Sequence, residues 1–169
     1  MNMTLIETIE LTSSASSIAF SSIPLDYDDL LVKISARGDR NNPSEAVTVL
    51  LNSDTNNMFA IFLAGYNGGP GSFSVTNNLV NINIPGSTAA ANTFSNASIY
   101  ISNYKLSQPK TLSSESVYSN NSTLDWQVDL TAGFWNNTAI VNSITATTNS
   151  GNFVSGSVVS LYGISNIVS

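Results

Sequence analysis

Residues 30–37, LLVKISAR, alternate between apolar side chains and mostly polar ones. In an extended chain, successive side chains point to opposite faces, so Leu30, Val32 and Ile34 share one face while Lys33 lies on the other. This period of two predicts a β-strand with one face against a hydrophobic core and a mixed face on the other side.

The same period of two recurs along the chain, and clusters of Gly, Pro and Asn, which favour turns, separate the alternating runs. Helix is nearly absent, with one candidate turn at residues 136–142. The pattern predicts an all-β fold: an antiparallel β-sandwich of jelly-roll type with about eight to ten strands. We expect a single domain over residues 1–169, with residues 1–12 as an edge strand or an arm. The candidate strands are residues 4–12, 17–22, 30–37, 47–51, 58–64, 80–84, 97–103, 111–118, 124–133, 143–148 and 157–164.

The composition narrows the possible functions. The chain has 169 residues, 42% of them hydrophobic, which is enough to bury a core. Only 9% are charged, the net charge is −6, and Ser, Thr and Asn (28, 15 and 22 residues) supply most of the polarity. The absence of Cys and His excludes disulfides, Cys or His zinc sites, a thiol nucleophile and a His-based triad. Five scattered cations argue against nucleic-acid binding, which needs clustered Lys and Arg.

No apolar run approaches the length of a membrane span, and residues 1–7 lack the cationic start of a secretory signal. We therefore expect no membrane partner and synthesis in a cytoplasm.

The patterns that could support catalysis or metal binding are weak. Asp26, Asp28 and Asp29 could begin a calcium site, but Asp is also common in the turn before a strand. Ser107 and Lys110 have Ser-x-x-Lys spacing, yet that motif needs a helix to bring its two groups together, and a proline lies between them. We expect no enzyme, no catalytic residue, no cofactor and no metal site.

Two strands are apolar on both faces. Residues 58–64 read MFAIFLA, and residues 157–164 have apolar side chains on alternate sides. Such a strand is covered either by loops of its own chain or by another subunit. The second interpretation predicts these subunit-contact residues: Met58, Phe59, Ile61, Leu63, Val158 and Tyr162.

Aromatic side chains offer an alternative, since exposed rings can stack on sugars as in β-sandwich lectins. Trp126, Trp135 and Tyr66 are the candidate glycan-stacking residues. Core or subunit packing is the simpler explanation for the same rings.

Four segments, in order along the chain, resemble a family of small β-sandwich proteins on the virion surface of tailed bacteriophages, especially cyanophages. The region between residues 41 and 80 shows the least similarity. The matching segments are residues 18–37 (IAFSSIPLDYDDLLVKISAR), 84–104 (IPGSTAAANTFSNASIYISNY), 130–145 (LTAGFWNNTAIVNSIT) and 157–164 (SVVSLYGI).

The resemblance implies a viral structural protein, specifically a capsid decoration or cement protein on the phage head. Its partner would be the major capsid protein, its location the capsid surface of the virion, and its site of synthesis the host cytoplasm. It also implies a homo-oligomer of closed symmetry, with a trimer favoured. A receptor- or glycan-binding module of the tail or a fibre is the alternative.

Overall fold

A computed structural model describes residues 1–66, 69–120 and 126–166, and within them the chain forms twelve strands and no helix. The all-β prediction is confirmed. The strands are β1 (Asn2–Glu10), β2 (Ser17–Phe20), β3 (Asp29–Ser35), β4 (Ser44–Leu51), β5 (Met58–Tyr66), β6 (Gly69–Thr76), β7 (Ile82–Pro85), β8 (Asn96–Ile101), β9 (Lys110–Ser119), β10 (Trp126–Trp135), β11 (Ile144–Thr148) and β12 (Val158–Ser165).

The strands form two antiparallel sheets, one in the order β1-β12-β3-β8-β9-β10-β5-β6 and the other in the order β2-β11-β4-β7. Strand β1 pairs with β12, β2 with β11, β3 with β8, and β4 with β7. Strands early in the chain thus pair in order with strands later in the chain, as in one long antiparallel hairpin that folds into two sheets. This is the jelly-roll arrangement that the sequence predicted.

Two additional pairs of strands enlarge one sheet. The pair β5 and β6 is inserted between β4 and β7, and the pair β9 and β10 between β8 and β11. All four strands continue the larger sheet beyond β8. These insertions account for twelve strands where about eight to ten were expected.

One hydrophobic core joins the inner faces of both sheets. Alternation places Leu30, Val32 and Ile34 of β3 in it, each at most 2% exposed, together with residues of β4, β8 and β12. The pattern of residues 30–37 therefore identified the buried face correctly. At the same core, the ring of Tyr27 lies flat on Gly163 of β12, where an added Cβ would come within 2.2 Å of the ring.

Two local predictions differ from the structure, and the structure decides a third that the sequence left open. Residues 136–142 form an irregular connection rather than a helical turn. Residues 69–76, which lie outside the candidate strands, form β6. The Gly and Pro at its start are unusual in strands and hid it from the sequence pattern. Residues 2–10 pair with β12 as an edge strand rather than an arm.

Candidate interaction surface

The outer face of the larger sheet, on the side away from the core, carries a cluster of exposed apolar side chains. Ile61 is 63% exposed, Leu63 58% and Leu130 55%, all high values for large apolar residues in strands. We call this cluster the apolar face. It consists of Phe59, Ile61 and Leu63 of β5 and of Val128, Leu130, Ala132 and Phe134 of β10.

The strand register makes the apolar face continuous. Leu63 lies opposite Leu130, Ile61 opposite Ala132, and Phe59 opposite Phe134. Directly opposed side chains on one face of an antiparallel pair have their Cβ atoms about 4.5–5.5 Å apart. The apolar residues therefore form one patch instead of isolated exposed positions.

Strand β10 reverses the usual orientation of a sandwich strand. Its apolar residues Val128, Leu130 and Phe134 point outward, whereas Asp129 and Thr131 point inward and are buried. Sandwich strands normally turn their apolar side toward the core. This reversal leaves β10 with an apolar surface that no other described part of the chain covers.

Hydrogen bonds to Asn81, in the segment preceding β7, account for the buried polar side of β10. The Asn81 side-chain amide donates to Asp129 Oδ1 (2.9 Å), and its backbone N–H donates to Thr131 Oγ1 (3.3 Å). Gln127 Nε2 also donates to Asp129 Oδ1 at 2.8 Å, while Ser116 Oγ donates to the Asn81 carbonyl at 3.3 Å. Burial raises the pKa of the Asp129 carboxyl in spite of these donors.

The predicted contact residues divide into three groups. Phe59, Ile61 and Leu63 lie exposed on the apolar face, as residues that contact a partner must. Met58 differs: it is fully buried, because its place in the alternation of β5 turns it to the inner side opposite Trp135. Met58 is therefore a core residue and not part of the contact surface.

Val158 and Tyr162 belong to β12, between β1 and β3, and are half-buried. Tyr162 lies on the same outer face as Ile61, in a row across the sheet through Leu31 and Tyr100. Five strand spacings of about 4.8 Å separate β12 from β5, so these positions are roughly 24 Å apart. The two predicted contact elements share one sheet face but form separate patches.

The candidate glycan-stacking residues do not share a surface. Trp126 is 42% exposed on the outer face, whereas Trp135 is fully buried with its Nε1 donating to Asp54 Oδ2 at 2.9 Å. Tyr66 lies opposite Gln127 on the inner side of β5. Of these three candidates, only Trp126 is placed to stack on a ligand from the outer face.

The acidic residues at the start of β3 hold the local chain together. Asp28 accepts a hydrogen bond from the Asn166 backbone N–H at 2.8 Å and pairs with Lys105 at 3.1 Å, and these two contacts, the first of them foremost, lower its pKa. Asp29 accepts hydrogen bonds from the Tyr100 hydroxyl (2.5 Å) and from the Asn103 backbone N–H (2.7 Å). Among the residues that the structure describes, no three His, Cys, Asp or Glu side chains are placed to bind a metal ion.

Tyr100 shows the effect of this environment. Burial, followed by the hydrogen bond to Asp29 and its charge, raises the pKa of the phenol to about 12. The hydroxyl therefore stays protonated and donates to Asp29 at ordinary pH.

Sequence reasoning missed the contribution of β10 to the apolar face. The signal was present, since residues 126–135 (WQVDLTAGFW) alternate apolar and polar side chains. Such alternation would ordinarily place Val128, Leu130 and Phe134 in the core. The orientation of the strand could not be decided from its own pattern.

No protein-family model matches the chain, and no curated protein matches its sequence. Within the described residues, no helix has the length and apolar character required to cross a bilayer. The resemblance to phage virion proteins stays a prediction.

Proposed function

We propose that this protein is a viral structural protein, a decoration or cement protein that binds the major capsid protein on the head of a tailed bacteriophage and stabilises it. The observation that carries the proposal is the apolar face on a jelly-roll body with few charges. A large exposed apolar patch is typical of a protein that binds another protein. The proposal assigns the molecule adhesion and no reaction, and places it on the capsid surface after synthesis in the host cytoplasm.

Most residues of the segments that resemble phage proteins belong to the jelly-roll body, with residues 130–135 of the inserted strand β10 as the exception. The segments also contact one another, which supports the proposal. Arg37, at the end of the first segment, donates hydrogen bonds from its guanidinium to carbonyls of the second. The acceptors are Ala90 (2.6 Å) and Ala89 (2.9 Å), with Ser87 and Thr93 at 3.3 Å. The inserted strands β5 and β6 lie in the region of least similarity.

The low charge is suited to a stable structural contact. Adhesion through hydrogen bonds and apolar contacts depends weakly on ionic strength, because few exposed ion pairs are available for salt to screen. Among the described residues, Lys105 and Asp28 form the only ion pair. As the resemblance implies, the assembly on the capsid would be a closed homo-oligomer, with a trimer favoured.

The copy number in purified virions tests this function. A decoration protein should be present in hundreds of copies per particle, commensurate with the icosahedral shell. Purified protein should also rebind to capsids that lack it, and moderate salt should not release it. A count of three to eighteen copies per virion would contradict the head location and indicate a tail component.

A tail or fibre module that binds host glycans is the second candidate, and the exposed ring of Trp126 favours it. Under this alternative, Trp126→Ala would abolish binding of the purified protein to host polysaccharide without changing its circular-dichroism spectrum. Trp135→Ala is unsuitable for the test, because Trp135 is a fully buried core residue. Absence of binding to any host polysaccharide would eliminate the alternative.

A further inference from the structure

The extent of the apolar face is comparable to that of a specific protein interface. Its six large side chains are each about half exposed, and with full surfaces of about 150–250 Å² they present on the order of 600 Å² to solvent. The largest apolar patch on a typical monomer is about 300–600 Å². A standard interface buries about 800 Å² per partner, of which about 65% is apolar in homodimers. The patch therefore supplies the apolar area that one side of such an interface requires.

The shape of the apolar face allows side chains to interdigitate. Ala132 is the small residue at its centre, and the bulky Ile61, Leu63, Leu130 and Phe134 stand around it. Two shallow depressions flank this position, one between Phe59 and Phe134 and the other between Leu63 and Leu130. A surface with both bulky residues and depressions can pack against another copy of itself, as the two inner faces of a sandwich do.

The charge distribution permits the same partner. Two copies each carry a net charge of −6 and repel each other, so a contact between them must avoid bringing further carboxylates close together. All residues of the apolar face are uncharged, and the neighbouring Glu115 lies at its border, beside Leu130 on β9. The seven residues of the face thus bring no carboxylate of their own into a contact between two acidic copies.

We propose that a second copy of this chain covers the apolar face, so that the protein self-associates through β5 and β10 of each subunit. The inference deepens the proposed function, on which it rests for the role of the assembly, by naming the partner of one adhesive surface. The apolar face then supports the proposed function by forming the assembly that decorates the capsid, and the capsid binds other parts of each subunit.

The mass of the purified full-length protein in solution, measured by light scattering or native mass spectrometry, tests the inference in the absence of any capsid. Between about 1 and 100 µM, the measured mass of the wild type should rise to that of an oligomer, a whole-number multiple of 17.9 kDa of two or more. Ile61→Lys should weaken association by about 100-fold or more, because burying the interface would bury an unpaired ammonium. The substitution also lowers the net negative charge by one, so electrostatic repulsion cannot explain the loss.

Leu5→Lys is the matched control. Leu5 is 52% exposed on the same outer face, opposite Tyr162 and near the other edge of the sheet, so its substitution should leave the mass unchanged. Circular dichroism checks that each variant folds. If Ile61→Lys does not fold, Ile61→Thr, which keeps a β-branched residue in the strand, should still weaken association by about 10-fold.

A wild-type protein that stays monomeric across this range would overturn the inference, and so would association that Leu5→Lys disrupts as strongly as Ile61→Lys. A monomer that still binds capsids through the apolar face would identify the capsid as the partner, and the proposed function would stand alone. A protein that self-associates through this face but never binds capsids would refute the proposed function and leave the inference intact.

Discussion

Replacing Lys110 by Met tests how a buried charge secures the start of β9. Lys110 is fully buried, and its ammonium donates to the carbonyls of Leu106 (2.8 Å), Ala139 (2.9 Å) and Gln108. Its Nζ also lies 5.7 Å from the centre of the Trp135 ring. The ammonium therefore connects the loop before β9 to the segment after β10.

The size of the effect follows from these contacts. Three carbonyls that lose a charged donor cost about 1 kcal/mol each, and the lost cation–π contact about 1 kcal/mol more. Met has a similar length and removes a buried charge, which offsets about 1–2 kcal/mol. We expect a net loss of about 2–3 kcal/mol in the free energy of unfolding, or a Tm lower by about 5–10 °C.

Urea unfolding followed by tryptophan fluorescence at pH 7 measures this difference. Lys33→Met is the control, because Lys33 is exposed on β3 and its substitution should change stability by less than about 0.5 kcal/mol. A Lys110→Met variant as stable as the wild type would refute the argument that the three carbonyls depend on the ammonium.

The same difference in stability between wild type and Lys110→Met, measured at alkaline pH, provides a second test. Burial lowers the pKa of Lys110 from 10.5, so between the lowered pKa and 10.5 the unfolded chain binds more protons than the folded one. The contribution of Lys110 to stability therefore rises with pH across that interval. The difference in stability between wild type and Lys110→Met should widen there, and a difference that narrows would contradict the assigned burial.

Two further variants test other contacts by the same unfolding assay. Hydrogen bonds, first of all from the Asn57 side chain, lower the pKa of Asp54 below its ordinary value of 3.8. The ionised Asp54 therefore contributes fully to the free energy of unfolding above pH 3.8, and this contribution is lost as the pH falls through the lowered pKa. Asp54→Asn should therefore be less stable than wild type by about 1–2 kcal/mol at pH 7, and this difference in the free energy of unfolding should disappear in acid. A difference that stays the same at every pH would contradict the prediction. In Gly133→Ala, the new Cβ would lie 2.4 Å from the Leu79 carbonyl oxygen, so we expect a loss of about 2 kcal/mol or more. Gly65→Ala, where nothing lies within 4 Å, is its control, and equal losses in the two variants would argue against a steric cause.

Much of the fold was predictable because its signals are local. Alternation identified most strands, and the Asn-rich turns adopt the left-handed backbone that Asn tolerates, as at Asn52, Asn77, Asn92 and Asn103. Strand β6 was not predictable, since Gly69 and Pro70 are poor strand formers. It forms because β5 offers a long edge for backbone pairing, from Phe59 to Tyr66.

The candidate site was predictable in part. The apolar residues on both sides of β5 indicated that Phe59, Ile61 and Leu63 need a cover beyond the core. The same pattern misplaced Met58, because a strand that is apolar on both sides does not reveal which side faces inward. The contribution of Leu130 and its neighbours on β10 required the three-dimensional arrangement.

The amino-acid sequence by itself determined the strand class, the low charge and the lack of Cys and His chemistry, because these depend on composition and on side-chain spacing along the chain. Only the tertiary structure decided which side of β10 is covered. The segment containing Asn81 satisfies the polar groups of Asp129 and Thr131, and those bonds hold that side of β10 inward. Alternation specifies which residues share a face, whereas the neighbour that packs against that face is set by distant parts of the chain.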